Sequence, residues 1–246
     1  MTAVKQTTLT RVAMLRLLES LSDDPVEFSL YIKYGDVTGE VERLLGQVLD
    51  RGQAFDVILK GALKSPTGQV VFYCRGVSSV IWPPFPLAET RLTVGFDGSA
   101  LRHMMEKEWM LAVVLVRLGH YAIGLFEGER LIDGKAGTGL IHARHHKGGS
   151  SANRFTRRRE KQMEYFFSRV EEHSREMFEP HLERIDYAFY GGTHDTLTRM
   201  WKQCPFYQKL ESKKVERLLT LREPRRSNLN LAVAEAYSSR FLEVRG

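Results

Sequence analysis

Residues 109–116 read Trp-Met-Leu-Ala-Val-Val-Leu-Val, eight positions without a polar side chain, closed by Arg117. This is the longest step the chain takes toward a membrane span, and it falls far short of the roughly 20 apolar residues a span needs. Its length suits a buried strand. Two shorter strands are expected next, over 121–127 and 130–132, with the tight turn between them at Glu127-Gly128. The N-terminus, MTAVKQTTLTR, has no basic start followed by an apolar stretch, so a secretory leader is not expected. At 246 residues, 43% hydrophobic and 27% charged, the chain can bury a core and is not disordered by composition.

The elements around these strands alternate. Leu9, Val12, Ala13, Leu17 and Leu21 recur at helical steps; Phe28, Leu30 and Ile32 alternate as a strand. Helical spacing returns over 37–63, with Gly52 as the expected kink. A hairpin over 70–82 turns at Arg75-Gly76, a further strand covers 91–96, and Ser99 caps a helix over 100–108. Phe155, Met163, Phe166, Phe167, Val170, Met177 and Phe178 mark the buried stripe of a long helix that Pro180 ends. The remainder reads strand 185–190, helix 193–204, strand 215–221, helix 228–242. This pattern predicts an α/β fold: a mixed β-sheet flanked by helices, with a long helix after a Gly-Gly loop. The expected domains are a small α+β module over 1–66 and a larger domain over 67–246.

Cys74 and Cys204 form neither a disulfide framework nor a metal spacing, and two reduced thiols point to a cytoplasmic protein. Gly134-Lys135-Ala136-Gly137-Thr138-Gly139 lacks the spacing of a P-loop and is expected to be a flexible hairpin loop. His142, His145 and His146 have no second cluster or carboxylate beside them, and Asp97, Asp133, Asp186 and Asp195 are scattered. No metal or cofactor is therefore expected, and a metal-dependent nuclease is a poor fit.

Charge is concentrated. Lys plus Arg total 36 against 30 acids, a net +6. Residues 142–161 hold seven of the cations (Arg144, Lys147, Arg154, Arg157, Arg158, Arg159 and Lys161) and one acid, Glu160, so this segment equals the whole excess. Gly148-Gly149 permits close backbone approach, Ser150 to Asn153 stay small, and Ser150, Ser151 or Asn153 can cap the next helix. Arg154, Arg157, Arg158 and Lys161 then share one helical face, which Arg158 and Arg159 cannot do together. A small flexible tip on a basic stem suits a space walled by phosphates.

The segments Leu111 to Arg117, Tyr121 to Glu127, Lys147-Gly148-Gly149 and Arg154 to Gln162 together resemble the catalytic domain of the eukaryotic and archaeal class-1 release-factor superfamily, in particular its Vms-like branch of ribosome-quality-control peptidyl-tRNA hydrolases. The likeness runs from about Val70 to the end. It implies hydrolysis of the ester joining a nascent chain to its tRNA, with the large ribosomal subunit, ribosomal RNA and peptidyl-tRNA as partners and no membrane. The implied catalytic loop is Gly148, Gly149, Ser150, Ser151, Ala152 and Asn153. Where the superfamily places a water-orienting glutamine, this chain has Ser151 or Ala152, and Asn153 is the nearest carboxamide. The alternative is a ribosome- or tRNA-binding rescue factor without hydrolysis, as in the Pelota branch.

Overall fold

The computed structural model describes residues 4–36, 39–141, 152–220 and 223–245. In chain order the elements are β1 (Val4–Leu9), α1 (Arg11–Asp23), β2 (Phe28–Ile32), α2 (Gly39–Gly46), α3 (Gln53–Lys64), β3 (Gln69–Cys74), β4 (Val77–Trp82), β5 (Arg91–Val94) and α4 (Ser99–Glu106). Then come β6 (Met110–Arg117), β7 (His120–Glu127), β8 (Arg130–Thr138), α5 (Ala152–Phe178), β9 (Tyr187–Gly191), α6 (His194–Gln203), α7 (Leu229–Ala236) and β10 (Ser239–Arg245).

Two compact units result. One comprises Met1–Lys107 and Ala234–Gly246, the other Glu108–Val233. The division does not fall at 66/67, because β2 is an interior strand bonded to β3 on one side and β5 on the other. Residues 1–66 thus share one sheet with the strands that follow them.

The first unit is an antiparallel sheet in the order β1-β10-β4-β3-β2-β5. Its register sets Leu30 opposite Val71, Val71 opposite Val80 and Val80 opposite Leu242. That apolar row packs with Val41 and Leu45 of α2 and Phe55 and Ile58 of α3. The β3–β4 turn forms at Arg75-Gly76 as the sequence predicts. Both residues have positive φ, 46° and 80°, and the Glu27 carboxylate accepts the Arg75 N–H at 2.8 Å.

The second unit holds the sheet β8-β7-β6-β9, in which β6 and β9 are parallel and the other pairs antiparallel. This is the predicted mixed sheet flanked by helices. The apolar run becomes β6, fully buried from Leu111 to Val116. Asp186 clamps its start: its carboxylate accepts the Met110 N–H and its own N–H donates to the Met110 carbonyl, each at 2.8 Å. Met163, Phe166, Phe167 and Val170 of α5 pack on the face formed by Val114, Val116, Tyr121 and Ile123.

Residues 134–138, expected in a flexible loop, belong to β8 instead. Their glycines make room for bulk. Gly137 pairs with Tyr121, and a Cβ at Gly137 would strike the Tyr121 ring; one at Gly139 would lie 2.7 Å from Phe166. On the opposite face Gly124 pairs with Gly134, and Leu229 lies against both. Gly137→Ala is therefore expected to destabilise the protein by about 1–3 kcal/mol through overpacking, read as a lower urea midpoint. A glycine serving only loop flexibility would tolerate alanine.

Other expectations are corrected. The helix over 37–63 divides into α2 and α3, because Gly46 and an extended Gly52 bracket the interruption. The helix over 228–242 stops at Ala236, since the chain then pairs with β4 and β1 as β10. In place of the strand over 215–221 the described residues make isolated bridges, Leu219 to Gly191 and, just before that span, Lys214 to Ala188, while Leu221 lies outside the described residues. β1 was not expected: it is a polar segment that pairs only with β10. Phe155 is 48% exposed rather than part of the buried stripe, which begins at Met163.

Both thiols are free. Cys204 is buried, donates to the Phe167 carbonyl at 3.4 Å, and is pushed up to about 12 by burial and then by Glu171. Among the described residues no helix is long and apolar enough to cross a membrane.

Candidate nucleic-acid interface

α5 begins at Ala152, which sets Asn153 inside its first turn rather than at its cap. Arg144, Lys147, Gly148, Gly149, Ser150 and Ser151 lie outside the described residues, as do His142, His145 and His146. From Arg154 to Gln162 the helix buries no side chain. Its next turns are anchored by the Phe166–Phe167 pair on the sheet. The cationic stem is thus a continuation of a helix whose other half is core.

Arg154, Arg157, Arg158 and Lys161 are exposed and converge on one groove of about 790 Å³. Its opposite side is the end of β8 and the residues after it, Thr138 to Leu140. Arg159 is turned away, as the helical phase requires: it is half-buried and lies 3.5 Å from the Met163 sulfur. The spacing argument therefore identifies the four groove cations and sets Arg159 apart from them.

The lining runs beyond the basic segment to Gln162, Tyr165, Phe166 and Arg169. Arg169 and Tyr165 continue the same face at steps of four from Lys161. Counting charge only as far as Lys161 missed them; following the helical period would have found both. Arg169 is half-buried and donates to the Thr138 carbonyl at 3.2 Å, which fixes its guanidinium against β8. Behind it the Tyr121 hydroxyl and His173 Nδ1 share a hydrogen bond. Burial raises the Tyr121 hydroxyl, while burial and then Lys135 lower the His173 imidazole. Both shifts favour the uncharged pair, so it adds no charge beside Arg169.

The described lining contains five cations and no carboxylate or imidazole. The groove can hold phosphates through charge-assisted hydrogen bonds. No group of three His, Cys, Asp or Glu among the described residues could hold a metal.

The chain is 23% identical over 141 residues to peptide chain release factor subunit 1 of Archaeoglobus fulgidus, covering 56% of this chain and 35% of the relative. It is 26% identical over 181 residues to the protein of the same name from Aeropyrum pernix, covering 70% and 45%. It therefore spans less than half the length of either relative. The crystal structure of an archaeal translation termination factor, aRF1, aligns over 93% of this chain and 73% of that one at 19% identity, with a TM-score of 0.40. Residues 110–242, more than half of the chain and including α5 with its basic groove, match the family described as Actinobacteria/chloroflexi VLRF1 release factor, and the chain belongs to that family.

Proposed function

We propose that the protein is a release-factor-like peptidyl-tRNA hydrolase that frees nascent chains from tRNA on stalled large ribosomal subunits. One observation carries the reading: the cations that follow the Gly-Gly segment, Arg154, Arg157, Arg158 and Lys161, line a single groove. In this reading the stem holds ribosomal RNA or tRNA by its phosphates and presents the preceding loop. Arg144 and Lys147 add to the charge available to RNA. Gly148 and Gly149 keep the tip slim. Ser151, Ala152 and Asn153 supply backbone N–H donors for the developing oxyanion, with Ser150 beside them in the loop, and Asn153 or Ser151 orients water. Membership of a release-factor family supports this assignment, and in this reading the protein works in the cytoplasm.

A second reading is favoured by one feature. Ser151 or Ala152 stands where the superfamily carries its glutamine, which suits a rescue factor that binds ribosome and tRNA without hydrolysis. Both readings share a first test. The protein is expected to sediment with isolated large subunits, to dissociate as salt rises, and to leave their RNA intact. Metal-dependent cleavage of the RNA, or failure to sediment at any salt concentration, would contradict both.

A further inference from the structure

The groove carries an aromatic among its cations. Arg154, Arg158, Lys161, Tyr165 and Arg169 follow one another at steps of four, three, four and four, so they form one row along α5. Tyr165 is 67% exposed, while its neighbours Phe166 and Phe167 are 1% and 0% exposed. The helix thus spends its apolar side on the core and still sets one large ring in water, between Lys161 and Arg169. Across the groove Leu140 is 74% exposed, a second apolar surface facing the same space. The volume, about 790 Å³, is of the size that takes a small ligand or a nucleotide-sized group.

Duplex RNA offers such a groove phosphates and sugar, but keeps the faces of its bases inside the stack. An unpaired nucleotide offers both a phosphate and a flat π-face. Cations flanking an exposed aromatic are the combination that binds single strands, the ring stacking on a base while the cations follow the backbone. The absence of any carboxylate from the described lining makes the groove unsuited to basic peptides and favours a polyanion.

We infer that Tyr165 is a stacking platform for an unpaired RNA base, and that the α5 groove selects single-stranded over double-stranded RNA. The inference rests on the RNA-binding part of the proposed function and adds the form of RNA recognised.

The test is a fluorescence titration of the full chain with two RNAs of equal phosphate number, a single strand carrying an internal fluorescent base analogue and a fully paired duplex. Tyr165→Ala is expected to weaken the single strand by about 5- to 150-fold, the equivalent of one lost stacking contact. Its salt slope and its duplex affinity stay at wild-type values. Tyr165→Phe keeps the ring and is expected to retain affinity and quenching. Because Tyr165 is exposed, both variants should melt with wild type. Competition by tRNA with and without its unpaired 3′ end then distinguishes tRNA from ribosomal RNA as the source of the base. If wild type binds both RNAs with salt dependence but Tyr165→Ala weakens neither, or weakens both alike, the stacking inference is overturned and the phosphate reading stands. If wild type binds neither RNA, both fall.

Discussion

Changing Arg154, Arg157 and Arg158 together to glutamate is expected to weaken RNA binding strongly and to flatten its dependence on salt. The three guanidinium groups line the same groove. Each phosphate they neutralise releases a condensed counterion, worth about 0.9 of a unit in the log–log salt slope on a duplex and about 0.7 on a single strand. Loss of three contacts should reduce the slope by about 2.7 or about 2.1 units respectively. Arg159→Glu is the internal control: that side chain lies against Met163 and outside the groove, so its effect should be the smaller one per charge. An unchanged slope in the triple variant would contradict the assignment of this face to nucleic acid.

Phe166→Ala should cost about 3–5 kcal/mol, the usual price of emptying a large buried site. The ring is 1% exposed, meets Tyr121 edge-on with centroids 5.9 Å apart, and occupies the space that the missing side chain of Gly139 leaves open. Gly139, just past the end of β8 and held there by its N–H bond to the Gly119 carbonyl at 2.9 Å, has no side chain to fill the vacancy. For a chain of this size the loss corresponds to a fall in Tm on the order of 10 °C. A variant that melts with wild type would show that α5 is seated on the sheet by a different face.

The same helix shows how far the sequence could be read. The three- and four-residue steps of Phe166, Phe167 and Val170 located the core side of α5, because burial against a sheet enforces that period over many residues. The period failed at Phe155, where the stem carries no buried residue and its apolar ring stays exposed. The strand run 110–116 was legible because a buried strand admits no polar residue. The glycines of β8 misled, since glycine signals a loop when read locally, and only the bulk of Tyr121 and Phe166 explains them as packing positions. β10 was hidden for a related reason: the spacing of Ala232, Val233 and Ala236 runs on helically into Tyr237, and the stop comes from pairing with strands far away in sequence. At the groove, charge counting found the cations in residues 142–161 but passed over Tyr165 and Arg169, which share their face without sharing their composition.

The most direct measurement is release of labelled peptide from peptidyl-tRNA held on isolated large subunits, with wild-type protein beside Ser151→Gln and Ala152→Gln. The hydrolase reading predicts that wild type releases peptide and that glutamine at one of the two positions, the one matching the superfamily's catalytic site, raises the rate. An oriented oxyanion-type group is worth about 10²–10³ in rate. If wild type and both variants bind the subunit yet leave the ester intact, the protein is a rescue factor that binds without hydrolysing, and the catalytic assignment of the loop is wrong.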